Sequence, residues 1–219
     1  MSENVEHYFS ELQYRDLMVQ LKEDFGPEYL LNDRAHQWDH VSAVAERALD
    51  INEQFELGYD RRMVVIPALL HDLFTRYRNI HHTLIKEFLL TTDYRHIRPF
   101  TASQRKLMAE AAYTHRASYT GTYPHILCEL IATADREPPR DIQSILVRAW
   151  KYAEKHHGGS RLVIAQQVVN HMREKFSTNG YAKYPDLYLR KYNLQLQEMR
   201  TFMDHVDVDT VMEMVEGNT

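Results

Sequence analysis

Apolar residues recur every three to four positions along most of this 219-residue chain, and only seven glycines and seven prolines interrupt them. That spacing is the period of a helix face, so the chain is predicted to be all-α. A first helix is expected over residues 6–24, with Phe9, Leu12, Leu17 and Leu21 buried. A second starts near His40, opened by Asp39, with Val41, Val44, Ala45, Ala48 and Phe55 along one face. Asp60 caps a third that runs through Leu73, with Met63, Ile66 and Leu70 on its apolar side and Pro67 costing it a hydrogen bond. Asn79 opens a fourth to Leu90, and Thr101 with Gln104 forms a capping-box pattern for a fifth to about His115. The sixth spans His125 to Asp135.

"REPPRD" is the clearest internal punctuation. Beyond it, helices are expected at 141–157, stopped by Gly158-Gly159, at 160–177, capped by Ser160, and from Pro185 to His205, before a short acidic tail. The chain is read as a core of residues 1–139 with a helical extension, 140–219, packed on it as a single structural domain.

A net charge of −5 argues against a general polyanion binder and so against nucleic acid as a partner. Tyr184, Tyr188 and Tyr192, with Arg190 and Lys191, make a basic-aromatic stripe, but four-residue spacing also describes one packed helix face, which is the reading preferred. The single cysteine, Cys128, fits a reducing compartment. The amino terminus lacks the apolar stretch of a signal peptide, and the longest apolar run, MVVIPALL, is too short to span a bilayer. The expectation is a soluble cytoplasmic protein with no membrane partner, forming a homo-oligomer through its carboxy-terminal helices.

The chemistry gathers in "ALLHDLFTRYRNIHH", residues 68–82. An apolar segment closes on His71 and Asp72, neither of which favours an interior without a partner. His40 opens the second helix and Asp135 closes the sixth, so three helix ends can converge. His81, His82 and His115 can reach the same pocket. Arg76 and Arg78 lie close enough to neutralise phosphate charge. His36 and Trp38 precede His40, the first read as a substrate contact and the second as core.

At these residues the chain resembles the HD superfamily of metal-dependent phosphohydrolases, in the style of its small bacterial and phage nucleotide hydrolases. "HQWDHVSAV", "PALLHDLF" and "THRASYTGTYPHILCELIATADRE" carry the likeness, over roughly residues 30–137. The resemblance implies an HD-type helical bundle and the metal ligands His40, His71, Asp72 and Asp135. Such a mixed N/O shell suits one divalent transition metal, Mn, Co, Ni, Fe or Zn. Family members with two metals take added histidines from the stretches that hold His81, His82 and His115 here. His115 and His82 are read as catalytic, donating hydrogen bonds to phosphate or protonating a leaving group. Two departures stand out: Thr75 replaces the glutamate that some nucleotidases place four residues after the histidine of the pair, and Asp135-Arg136-Glu137-Pro138 replaces the Asp-Arg-Leu-Asp of many relatives.

The implied function is a phosphohydrolase that acts on a (deoxy)nucleotide by attack of metal-activated water on phosphorus. The alternatives are an HD-type di-iron oxygenase and a non-catalytic nucleotide-binding protein.

Overall fold

The computed structural model describes residues 11–33, 36–136, 138–139 and 142–217, with the side chains of residues 11 and 12 excepted. Among them every regular element is helical, which makes the fold all-α. The chain divides into two compact units, residues 1–136 and 137–219, and the division falls inside "REPPRD".

In the first unit, α1 (Glu11–Tyr29) is followed by α2 (Trp38–Gln54), α3 (Arg61–Leu70), α4 (His81–Thr91), α5 (Ala102–Thr114) and α6 (Ile126–Asp135), with a 3₁₀ turn at Thr75–Tyr77. α1 buries Tyr14, Leu17, Leu21 and Tyr29. Phe9 and the side chain of Leu12, expected in that core, lie outside the described residues. The helix runs past the expected stop at residue 24 and through Pro27. The missing N–H costs one bond in the last turn, and burial of Tyr29 offsets it.

α2 opens two residues earlier than predicted, on Gln37, and Asp39 lies inside its first turn rather than capping it. Negative charge there still complements the helix dipole. Asp60 does cap α3, accepting from the Arg62 N–H at 2.8 Å. α3 ends at Leu70 rather than Leu73, and it is buried on every side from Met63 through Leu70, not along one stripe. A helix apolar all round belongs at the centre of its unit. α3 packs on α2, α5 and α6. α4 begins at His81, and the Thr101–Gln104 capping box opens α5 as predicted.

The second unit holds α7 (Ile142–His156), α8 (Arg161–Phe176), α9 (Asp186–His205) and α10 (Val208–Glu216). Its own core includes Leu146, Trp150, Val168, Met172, Leu196 and Met203. Tyr188 and Tyr192 are buried in it, and Tyr184 stacks on Tyr188 at 4.7 Å, so the tyrosine stripe is packing. α9 kinks at Tyr192. The segment read as an acidic tail is a helix: Asp207 caps it, and Val211 and Val215 are buried. Five acidic residues in 204–216 obscure that stripe in the sequence. No described helix is long and apolar enough to cross a membrane.

Candidate metal centre

α3 delivers His71 to the middle of the first unit. Its last turn leaves carbonyls without helical partners. The Tyr29 hydroxyl, 2.5 Å away, donates to the Leu69 carbonyl, and the His71 Nδ1–H donates to the Ala68 carbonyl at 2.8 Å. Asn32, 5% exposed, staples the turn that follows: its amide donates to the Asp72 carbonyl at 2.9 Å and accepts from the Arg76 N–H at 3.1 Å. Thr75 is buried and donates its hydroxyl to the same Asp72 carbonyl at 2.7 Å. His71 and Asp72 are thus fixed from the backbone side, with His71 0% and Asp72 3% exposed.

Three helix ends meet there, as the sequence suggested. His40 Nε2 lies 3.1 Å from Asp135 Oδ1 and 3.6 Å from Asp72 Oδ2. His71 Nε2 lies 3.3 Å from Asp72 Oδ2 and 3.4 Å from Asp135 Oδ1. His115 Nε2 faces the other oxygen of Asp72, Oδ1, at 3.5 Å. His81, which begins α4, joins Asp72 and His115 in a further group whose ligand atoms all lie within 4.8 Å of one another. The other groups are His40 with His71 and Asp72, and His71 with His115 and Asp135.

These distances discriminate between two explanations. A charge-assisted N–H···O hydrogen bond is about 2.7–2.9 Å, and His36 with Asp33 gives 2.7 Å in this same protein. Two ligands on one ion at about 2.1 Å stand roughly 3.0 Å apart at a right angle and roughly 3.4 Å apart at the tetrahedral angle. The separations of 3.1–3.6 Å in the cluster match the edges of a coordination shell better than ion pairs.

The tautomers agree. His71, His81 and His115 each direct Nδ1 at a carbonyl three residues back, those of Ala68, Arg78 and Ala112, at 2.8, 2.9 and 2.6 Å. A carbonyl only accepts, so Nδ1 carries a proton and Nε2 faces inward, where in the neutral ring its lone pair has the arrangement of metal-ligating histidines. His71 Nε2 is fully buried with no hydrogen-bond partner. That orphan atom, aimed between two carboxylates, is the strongest sign that the residues fit a cation.

Charge follows geometry. Burial pushes the His71 imidazole down, but the Asp72 and Asp135 carboxylates outweigh it and hold it well above the ordinary histidine range. Against burial, His71 and His115 keep Asp72 well below the usual carboxylate range, while His40 and His71 keep Asp135 low. Burial depresses His81, which favours the neutral ligand form. The buried wall is made by His71, Asp72 and His115, whereas the His40 and Asp135 side chains are 21% and 20% exposed and give access from solvent.

Other expected site residues are not members of these groups. His82 points its Nδ1 at Arg116 Nη1, 3.2 Å away, rather than into the groups above. Arg76 is taken by Glu28 at 2.6 Å and Arg78 by Asp33 at 3.3 Å. His36 bonds the same Asp33 and stands 6.0 Å, ring to ring, from His40. Trp38 packs edge-on against Tyr29. Sequence reasoning overlooked Asn32, whose signal is slight, and Arg116, which directly follows His115. A cleft of about 220 Å³ lies by the opposite end of α3, but its Arg62 and Arg95 are already neutralised by Asp60 and Asp24. No protein-family model matches the chain, and no curated protein or solved structure matches it. The all-helical fold and the His/Asp cluster are compatible with an HD-type metal site.

Proposed function

We propose that this protein is a metal-dependent phosphohydrolase of the HD type, acting on a (deoxy)nucleotide. The observation that carries the reading is the inward Nε2 of His71, buried, without a hydrogen-bond partner and flanked at 3.3 and 3.4 Å by Asp72 and Asp135. His40, His71, Asp72 and Asp135 would hold the ion, with His115 and His81 on the far side of Asp72. A divalent ion bound there supplies Lewis-acid polarisation of a phosphate oxygen and acidifies bound water.

The chain's own residues do the rest. Asp72 divides its oxygens, Oδ2 towards His40 and His71 and Oδ1 towards His115, so one carboxylate orients imidazoles on both sides. The Ala68 and Ala112 carbonyls hold the His71 and His115 rings against rotation. His71, Asp72 and His115 are almost fully buried, whereas the partly exposed His40 and Asp135 side chains leave the cluster open to a phosphate from solvent. The test is a panel of nucleoside mono-, di- and triphosphates assayed with the purified protein, with and without chelator and beside Asp72→Ala. Turnover lost under both treatments supports the reading, and turnover indifferent to both defeats it.

A second reading is favoured by one observation: His40, His71, Asp72, His81, His115 and Asp135 make six donors, the set that an HD-type di-iron oxygenase needs. Two irons per chain with no phosphate release from any nucleotide would select it.

A further inference from the structure

The expected phosphate-binding arginines, Arg76 and Arg78, are engaged by Glu28 and Asp33. A different set of cations borders the metal centre. Arg116 directly follows the candidate ligand His115, and its Nη1 reaches His82 Nδ1 at 3.2 Å. The His82 ring stands 5.4 Å from that of His81 and 5.1 Å from that of Tyr113. Lys86, one turn further along α4, lays its ammonium 4.8 Å over the other end of this strip, on the Tyr113 ring. His81, His82, Lys86, Tyr113 and Arg116 therefore form one continuous patch between α4 and the end of α5. His82, Lys86, Tyr113 and Arg116 are only partly exposed.

The charge of this patch is not neutralised. Among the described residues, neither Arg116 nor Lys86 has a carboxylate within 4.0 Å. The acid one turn back on α5, Glu110, is occupied by Lys106 at 3.9 Å and His125 at 3.3 Å. Arg116 donates to an imidazole and Lys86 rests on an aromatic face. These contacts fix the two cations in place without consuming their charge. Accepting from Arg116 at Nδ1 also sets the His82 tautomer, which leaves Nε2–H as a further donor.

We propose that Arg116, Lys86 and His82 form a second anion subsite beside the His/Asp cluster, fitted to a substrate that carries another phosphate next to the one cleaved. This rests on the phosphohydrolase reading and narrows it: nucleoside di- and triphosphates are preferred over monophosphates. Arg116 offers a planar, two-pronged donor suited to phosphate oxygens, and Lys86, one turn beyond His82 on α4, a point charge.

The test titrates inorganic pyrophosphate and, separately, inorganic phosphate into the full chain by calorimetry, with Mn²⁺ and after chelation, for the wild type, Arg116→Gln, Lys86→Gln and Arg116→Lys. Pyrophosphate is expected to bind wild type even without metal, and Arg116→Gln to weaken it about tenfold, the loss of one charge-assisted bidentate contact. Arg116→Lys should recover part of that affinity, and phosphate binding to the Mn²⁺ form should change less than about twofold. Unchanged melting temperatures exclude misfolding as the cause. Equal pyrophosphate affinity in wild type and Arg116→Gln, or equal turnover of mono- and diphosphates by wild type, overturns the subsite while leaving the hydrolase standing. Arg116-dependent pyrophosphate binding with no turnover of any nucleotide overturns the hydrolase and leaves the subsite in place.

Discussion

Asp72→Asn removes one charge and almost no volume from the cluster, and the metal reading assigns it a definite thermal signature. In the wild type, an ion at one hundred times its dissociation constant adds about 2.7 kcal/mol to the folded state. For a chain of this size each kcal/mol moves the melting midpoint by roughly 2–4 °C, so saturating Mn²⁺ should raise it by about 5–10 °C. In Asp72→Asn the anionic oxygens facing His40 and His71 at 3.6 and 3.3 Å and His115 at 3.5 Å are lost, and with them the bridge between the two sides of the site. The metal-induced shift should then fall below about 2 °C. The metal-free variant should itself be less stable by on the order of 1–3 kcal/mol, because His71 loses a buried partner that favours its charged form.

Acidity sharpens this test. In metal-free protein His71 is held above its ordinary range, so its contribution is complete below the unfolded value and drains away as pH climbs through the folded one. Asp72 is held low, so its contribution is present above the unfolded carboxylate value and is lost as pH falls towards its own folded value. Metal binding requires His71 without its proton, so the increment from Mn²⁺ should grow as pH rises from the ordinary histidine range towards the raised folded value, while metal-free stability declines. Differential scanning fluorimetry with Mn²⁺ and with chelator reads both trends. A wild type that does not respond to millimolar Mn²⁺, or an Asp72→Asn protein that keeps the full shift, would show that the 3.1–3.6 Å separations are only a buried ion-pair network and would refute the argument.

Three further outcomes are expected. His81→Ala should lower bound metal, measured by elemental analysis after dialysis, whereas His82→Ala should leave metal content unchanged, because Nδ1 of His82 faces Arg116. Burial pushes the Cys128 thiol up to about 11, so at about pH 8 it should not react with a thiol reagent until the protein is unfolded. Thr101→Ala removes the side chain that accepts from the Gln104 N–H in the capping box and should cost about 1 kcal/mol in denaturant titrations, without altering metal-dependent stabilisation.

The contrast between His81 and His82 shows where sequence stops. Adjacent imidazoles in "NIHH" are equivalent in the linear pattern, and only the entry angle of α4 sends one towards Asp72 and the other towards Arg116. Arg76 and Arg78 make a related point: proximity to His71-Asp72 in the chain says nothing of Glu28 and Asp33, which come from the end of α1 and the connection that follows it and pair with them. Asn32 was invisible because a buried amide that staples a turn leaves no periodic trace.

What the sequence determined by itself is local. Helical periodicity, sparse glycine and proline, the Asp60 and Ser160 caps and the Thr101–Gln104 box specify most helices, since each depends on neighbours within one or two turns. It also named the four residues that stand at converging helix ends. Tertiary structure alone decided that these ends meet within ligand distance, that His81 and His115 join them, and that Arg116 and Lys86 keep unneutralised charge at the border. Those facts depend on how helices far apart in the chain pack against the all-buried α3, and side-chain packing over such separations has no period for a sequence to display.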